Sequence, residues 1–299
     1  MSGLSLHAFK GGMEEAARIA RRLGVVLHPI DVHCFPDGES LVTVSPPQSS
    51  AIVYASLDHP NERLMDLLLA AEALRRNGVN RLVLVAPYLC YMRQDKAFHD
   101  GEAISQHVMG RLLGGTFDRI VTIDPHLHRV KTIGEVFPGI ESESLTAAPA
   151  IATFVRAHLP VSPAYIVGPD AESKQWVDQI AAQLGGETIV GFKRRMGDRH
   201  VEIEFSCGPL EGRSVLLVDD IVSSGATLIK AIGKLKARGA GEINVAVTHA
   251  LFGSEQEEAM RREGAAHIWS TFSAPHPTNR IHLDDLLVPV LAREVEVVK

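Results

Sequence analysis

Two adjacent carboxylates, Asp219 and Asp220, are followed by a run of small, mostly hydroxyl-bearing residues, Ser223-Ser224-Gly225-Ala226-Thr227. Paired acids suit sugar hydroxyls or a magnesium ion. The small-residue run opens into a helical apolar period, Leu228, Ile229, Ile232 and Leu235. A helix amino end suits a phosphate, because its N–H groups are unpaired and the dipole is positive there. Ser, Thr and Asp are also common strand and helix caps, so this stretch needs support from the rest of the chain. Phe35-Pro36-Asp37-Gly38-Glu39 sets an aromatic ring beside two acids, enough to stack on a base and accept from its amino group. Pro-Asp-Gly by itself reads as a plain turn. Arg93-Gln94-Asp95-Lys96 is a polar, basic stretch, and Asp124-Pro125-His126-Leu127-His128 and Pro169-Asp170 each bring an acid. Two histidines at i, i+2 are weak evidence for a metal site. Lys193-Arg194-Arg195-Met196-Gly197-Asp198-Arg199 places four cations in seven residues, which reads as a mobile basic loop or a solvated hairpin. No G-x-x-x-x-G-K-[ST] loop is present, so any ATP must be held by another device.

These residues need elements to hold them. Val215-Leu216-Leu217-Val218 has the length and composition of a buried parallel strand, with Asp219 and Asp220 at its carboxyl end. Apolar periodicity predicts helices over 13–23, from 60 to 78, over 104–113, around 176–184 and near 255–262. Strands are predicted over 25–27, 41–44, 52–55, 82–86, 119–123, 164–168, 188–191, 201–205, 243–248 and 267–271. After Val136-Phe137-Pro138-Gly139, a turn-rich run of small residues through Pro149 reads as a domain junction. Strands alternating with helices in both halves argue for two parallel-sheet α/β domains, with ligands at strand carboxyl ends.

At 299 residues the chain can bury two good cores. Its 45% apolar and 22% charged content is ordinary for a soluble protein. A net charge of −6 argues against nucleic acid or an acidic membrane as partner. Cys34, Cys90 and Cys207 form no CxxC pair, which predicts a reducing compartment and no structural zinc. With no signal pattern and no apolar run near ~18 residues, a cytoplasmic location is expected.

The stretch Val218-Asp219-Asp220-Ile221-Val222-Ser223-Ser224-Gly225-Ala226-Thr227 resembles the phosphoribosyl-pyrophosphate (PRPP) motif of the phosphoribosyltransferase fold. Further stations occur in the right order: Phe35 to Glu39, Ala73-Leu74-Arg75-Arg76, Pro87-Tyr88, Tyr91, Arg93 to Lys96, Asp124-Pro125-His126, Pro169-Asp170 and Lys193-Arg194-Arg195. Together they resemble the ribose-phosphate pyrophosphokinase family over nearly the whole chain. The resemblance implies an α/β fold of two tandem phosphoribosyltransferase-like domains, each a mostly parallel sheet flanked by helices. Residues 1–143 would form the ATP side and 144–299 the ribose 5-phosphate side, with a C-terminal helix free to pack back on the first. It implies Mg²⁺-dependent transfer of the diphosphoryl group of ATP to ribose 5-phosphate, and a homo-oligomer with a shared ATP site. Carried over by motif, Phe35, Asp37, Glu39, Arg93 and Gln94 would bind ATP, and His126 and Asp170 would sit near the metal. Asp219, Asp220, Ser223, Ser224, Gly225, Ala226 and Thr227 would bind ribose 5-phosphate, and Lys193 and Arg195 would be catalytic.

The chain departs from the family pattern in places. Ser223 replaces an acid, Ala226 a glycine and Pro125 a leucine, and Ala171-Glu172-Ser173-Lys174-Gln175-Trp176 is bulkier and more charged than usual. The stretch 97–104 lacks the arginines of phosphate-regulated members. Three rival readings are a PRPP-using phosphoribosyltransferase, a non-catalytic relative, and the same chemistry on another phosphorylated sugar.

Overall fold

The structure, a computed structural model, describes residues 3–195 and 201–297. It divides into two units, residues 1–146 with 273–275 and 282–299, and residues 147–272 with 276–281.

The first unit runs β1 (Leu4–Phe9), α1 (Met13–Leu23), β2 (Val26–Cys34), β3 (Ser40–Val44), β4 (Ser50–Tyr54), α2 (Pro60–Arg76) and β5 (Arg81–Ala86). It continues with α3 (Ser105–Gly114), β6 (Arg119–Ile123), α4 (Ile133–Val136) and β7 (Glu141–Leu145). The second unit runs α5 (Ala148–His158), β8 (Tyr165–Gly168), α6 (Lys174–Leu184), β9 (Glu187–Arg195), β10 (Val201–Phe205) and β11 (Val215–Val222). It ends with α7 (Ala226–Ala237), β12 (Ile243–Ala250), α8 (Ser254–Glu263), β13 (Ala265–Thr271) and β14 (Asn279–Ile281), after which α9 (Asp284–Val297) belongs to the first unit.

Both sheets have seven strands and the same topology, β3-β2-β1-β4-β5-β6-β7 and β10-β9-β8-β11-β12-β13-β14. Pairing is parallel except at one edge of each, where β3 and β10 run antiparallel to β2 and β9. The central strands β4, β5, β11 and β12 are mostly apolar and nearly all buried, as sheets covered on both faces require. Local chemistry ends the helices where expected. Pro60 sits in the first turn of α2, and Gly24 takes a left-handed conformation after α1.

β1 and β14 lie outside the expected strands, and two further stretches differ from the sequence expectation. The run 140–149 contains β7, paired in parallel with β6, and the division between the two units falls just after it, at 146 and 147. Lys193, Arg194 and Arg195 continue β9 and pair with Ile203, Glu202 and Val201, rather than opening a loop. Met196 to Arg199 of that basic stretch lie outside the described residues.

α9 is held to the first unit by charge. Asp284 at its start accepts from Arg18 Nε at 3.1 Å and Arg22 Nη1 at 2.8 Å. Nearer its end, buried Glu294 accepts from Arg81 at 2.6 and 3.0 Å and from buried Arg119 at 2.7 Å. Among the described residues no helix is long and apolar enough to cross a membrane.

Candidate active site

In the second sheet the strand order reverses between β8 and β11, which pair in parallel from Val215 with Tyr165 to Leu217 with Val167. The chain leaves these two strands in opposite directions, so a crevice opens past their carboxyl ends, the usual ligand position in open α/β sheets. Asp170 follows β8. Its carboxylate accepts from the Glu172 amide at 3.1 Å, and its carbonyl accepts from the Ser173 hydroxyl at 2.5 Å. This turn is tight: a Cβ on Gly168 would lie 2.0 Å from Ser173 Oγ, and one on Gly191 would lie 2.3 Å from the Pro169 carbonyl. Two of the larger residues of 171–176 are taken up by α6 itself. Trp176 is buried in α6, and Lys174 pairs along the same helix with Asp178 at 2.6 Å.

β11 does not stop at Val218. Its ladder with β12 continues through Val222, so Asp219 and Asp220 lie within the strand's last half. Asp220 is buried, Asp219 is half-buried, and the Asp220 amide donates to Asp219 Oδ1 at 3.1 Å. Ser223 and Ser224 are exposed. Gly225 then supplies the left-handed turn, with φ +67°, that starts α7. Ala226 is already helical, which alanine suits, so the flexibility needed here falls on Gly225. The first amides of α7 thus border an exposed, hydroxyl-lined loop with a partial positive charge.

In the first unit, Phe35 to Glu39 cap the edge hairpin of β2 and β3, which pair from Ile30 with Val44 to Cys34 with Ser40. The Phe35 amide donates to the Glu39 carbonyl at 2.8 Å, the Glu39 amide donates to Asp37 Oδ1 at 3.1 Å, and Gly38 takes φ +92°. Phe35 is 41% exposed, edge-on to His33 at 4.8 Å between centroids, and Asp37 and Glu39 are exposed beside it. An aromatic face and two acids are therefore held on a rigid turn.

Arg93 to Lys96 follow β5. Arg93 is exposed and makes no ion pair among the described residues. Gln94 is fixed by the Ser105 hydroxyl, which donates to its Oε1 at 2.9 Å. The Asp95 side chain is 1% exposed and accepts from Arg129 Nη1 at 2.6 Å and from the Arg129 amide at 3.1 Å. Desolvation opposes its charge, but the bonds to Arg129 prevail and hold the carboxyl below its ordinary value. Asp95 thereby ties this loop to the one after β6. There Asp124 is buried with φ +35°, a strained conformation for a non-glycine residue, and its amide donates to the Leu145 carbonyl at 2.8 Å. Half-buried His126 lies beyond it, with its Nε2 2.8 Å from His128 Nε2. At that distance one imidazole donates and the other accepts. His126 belongs to the first unit and Asp170 to the second.

Sequence reading overlooked Arg129 and Gln256. No local signal marks Arg129 as the partner of an acid 34 residues away. Gln256 sits on the surface pattern of α8, yet a Cβ on Gly225 would lie 3.3 Å from its Cβ.

Residues 5–115 match the family described as the N-terminal domain of ribose phosphate pyrophosphokinase, and residues 140–282 match the phosphoribosyl transferase domain. The ribose-phosphate pyrophosphokinase of Pyrococcus abyssi is 34% identical, over 89% of this chain and 91% of that protein. That of Methanopyrus kandleri is 29% identical, over 95% and 96%. The crystal structure of phosphoribosylpyrophosphate synthetase from Mycobacterium smegmatis is similar with a TM-score of 0.81 and 25% identity, covering 99% of this chain and 98% of that one.

Proposed function

This chain belongs to the ribose-phosphate pyrophosphokinase family and makes PRPP, and we propose that it does so by moving the β,γ-diphosphoryl group of ATP onto the 1-hydroxyl of ribose 5-phosphate. The observation that carries this reading is the switch-point crevice of the second sheet. There Asp170 follows β8, Asp219 and Asp220 lie in the last half of β11, and Ser223 to Thr227 follow that strand into α7.

In this reading Ser223, Ser224, Gly225, Ala226 and Thr227 bind the 5-phosphate through hydroxyls and helix-start amides. Asp219 and Asp220 accept hydrogen bonds from the ribose hydroxyls. Phe35 stacks on the adenine, Asp37 and Glu39 accept from its amino group, and this hairpin serves a neighbouring subunit of a homo-oligomer. Arg93 and Gln94 contact ATP, and Arg93 has the charge and planar donors that phosphate oxygens require.

The oxygen-rich donors fit Mg²⁺, which is commonly held by one or two carboxylates together with substrate phosphates. Asp170 would be its protein ligand, and His126 would serve better through a water molecule than directly. Bound Mg²⁺ supplies neutralisation of phosphate charge. The 1-hydroxyl oxygen attacks the β-phosphorus as it loses its proton, the bond from that phosphorus to the α,β-bridging oxygen breaks, and AMP leaves. Lys193 and Arg195 stabilise the charge on the non-bridging oxygens during transfer. With β-labelled ATP the label should appear in the sugar product and none in a nucleoside monophosphate or diphosphate. Label left in ADP, or released only as inorganic phosphate or pyrophosphate, would overturn the reaction type.

A further inference from the structure

The phosphate loop rests on a second wall within its own unit. β12 ends at Ala250, and the Leu251 amide donates to the carbonyl of Val222, the last residue of β11, at 2.8 Å. Phe252 and Gly253 then lead into α8. Gln256 accepts from the Gly253 amide at 3.0 Å through its Oε1. The stem of that side chain lies against Gly225: a Cβ there would be 3.3 Å from Gln256 Cβ and 3.5 Å from its Cγ.

The wall is itself anchored. His276 Nε2 lies 2.8 Å from the Phe252 carbonyl, so that nitrogen carries the proton. His276 Nδ1 then accepts from the Thr278 hydroxyl at 2.7 Å and the Thr278 amide at 3.2 Å. The Thr278 hydroxyl in turn accepts from Ser270 at 2.7 Å, and Ser270 accepts from Asn279 Nδ2 at 3.0 Å. Every donor in this series has a direction, and the series ends on the Phe252 carbonyl, four residues before Gln256.

We propose that Gln256, backed by His276, is a positioning residue for the 5-phosphate. Its stem presses the left-handed Gly225 into place, and its amide oxygen fixes the segment that carries it. Neither residue touches the substrate. This rests on the reading that Ser223 to Thr227 hold the 5-phosphate.

The test is steady-state kinetics of the full chain with ATP and ribose 5-phosphate varied separately. Gln256→Ala should raise KM for ribose 5-phosphate roughly tenfold, with KM for ATP unchanged. Gln256→Met keeps the stem and should recover most of that loss. His276→Gln, with an amide donor for the Phe252 carbonyl, should lie between Gln256→Ala and wild type. Thr227→Val is the control for the underlying reading. If Thr227→Val raises KM for ribose 5-phosphate and Gln256→Ala does not, the positioning role is wrong and the loop assignment stands. If neither does, both fall. A Gln256→Ala protein that fails to fold, with Gln256→Met no better than wild type in stability but impaired equally for both substrates, would reduce Gln256 to a structural cap and overturn the proposal.

Discussion

Replacing Glu294 by alanine should loosen α9 from the first unit and destabilise that unit severely. The Glu294 side chain is 1% exposed and bridges Arg119, 3% exposed, and Arg81, 23% exposed. Burial raises the pKa of Glu294, but the bonds from Arg81 and then Arg119 outweigh it, so the carboxyl titrates below its ordinary value. Its stabilising charge is therefore present above the unfolded value of 4.5 and is lost as pH falls through the lower folded value. Without Glu294, Arg81 keeps the exposed Glu141, and Arg119 keeps Glu143 at 2.8 Å, the Val290 carbonyl at 3.4 Å and the distant, exposed Glu141 at 4.0 Å. Breaking one side of a buried pair costs about 3–5 kcal/mol, and partial access of water to Arg81 argues for the lower end. Both tryptophans, Trp176 and Trp269, lie in the second unit, so their fluorescence would miss the event. Hydrogen exchange of peptides spanning 284–297 reads it directly, with a loss of protection of about 3 kcal/mol. The double substitution Arg119→Met with Glu294→Leu removes both charges and should come within about 1–2 kcal/mol of wild type. Unchanged protection in Glu294→Ala, or a double variant worse than the single, would refute this account of α9.

Three further outcomes are expected. His7 is buried in β1, and burial first, then the neighbouring His28, lowers its pKa from 6.5 to about 4. The unfolded chain therefore binds a proton that the folded chain refuses, and up to about 3 kcal/mol of stability is lost between pH 6.5 and 4; urea titrations should show a flatter pH profile for His7→Leu. Gly225→Ala forces alanine to φ +67° against Gln256 and should cost about 1–2 kcal/mol while raising KM for ribose 5-phosphate; a neutral effect in both would remove the strain argument. Lys193→Ala should lower turnover by roughly 10³-fold with a much smaller change in ribose 5-phosphate binding, as a transition-state cation would; equal loss in both would contradict that role.

The fold was legible where one physical signal dominated. Central strands such as 82–86 and 119–123 are apolar because both faces are covered, and the α1 and α2 boundaries follow Gly24 and Pro60. β1 escaped notice because Ser5 and His7 interrupt an otherwise apolar strand, and their burial is decided by β2 and β4 on either side. β7 reads Glu-Ser-Glu-Ser-Leu and becomes a strand only by pairing with β6. Likewise, Lys193 to Arg195 extend β9 because β10 folds back on it. The phosphate-loop candidate was visible because its residues are contiguous. Its supports were not, since Gln256 and His276 reach it through contacts between distant segments, and Asp95 meets Arg129 in the same way.

The central claim is tested most directly by incubating the purified chain with ATP, Mg²⁺ and ribose 5-phosphate and quantifying every product. AMP and PRPP in equal amounts, with both dependent on ribose 5-phosphate, are the predicted result. ADP in place of AMP, or no sugar-dependent consumption of ATP, would contradict it.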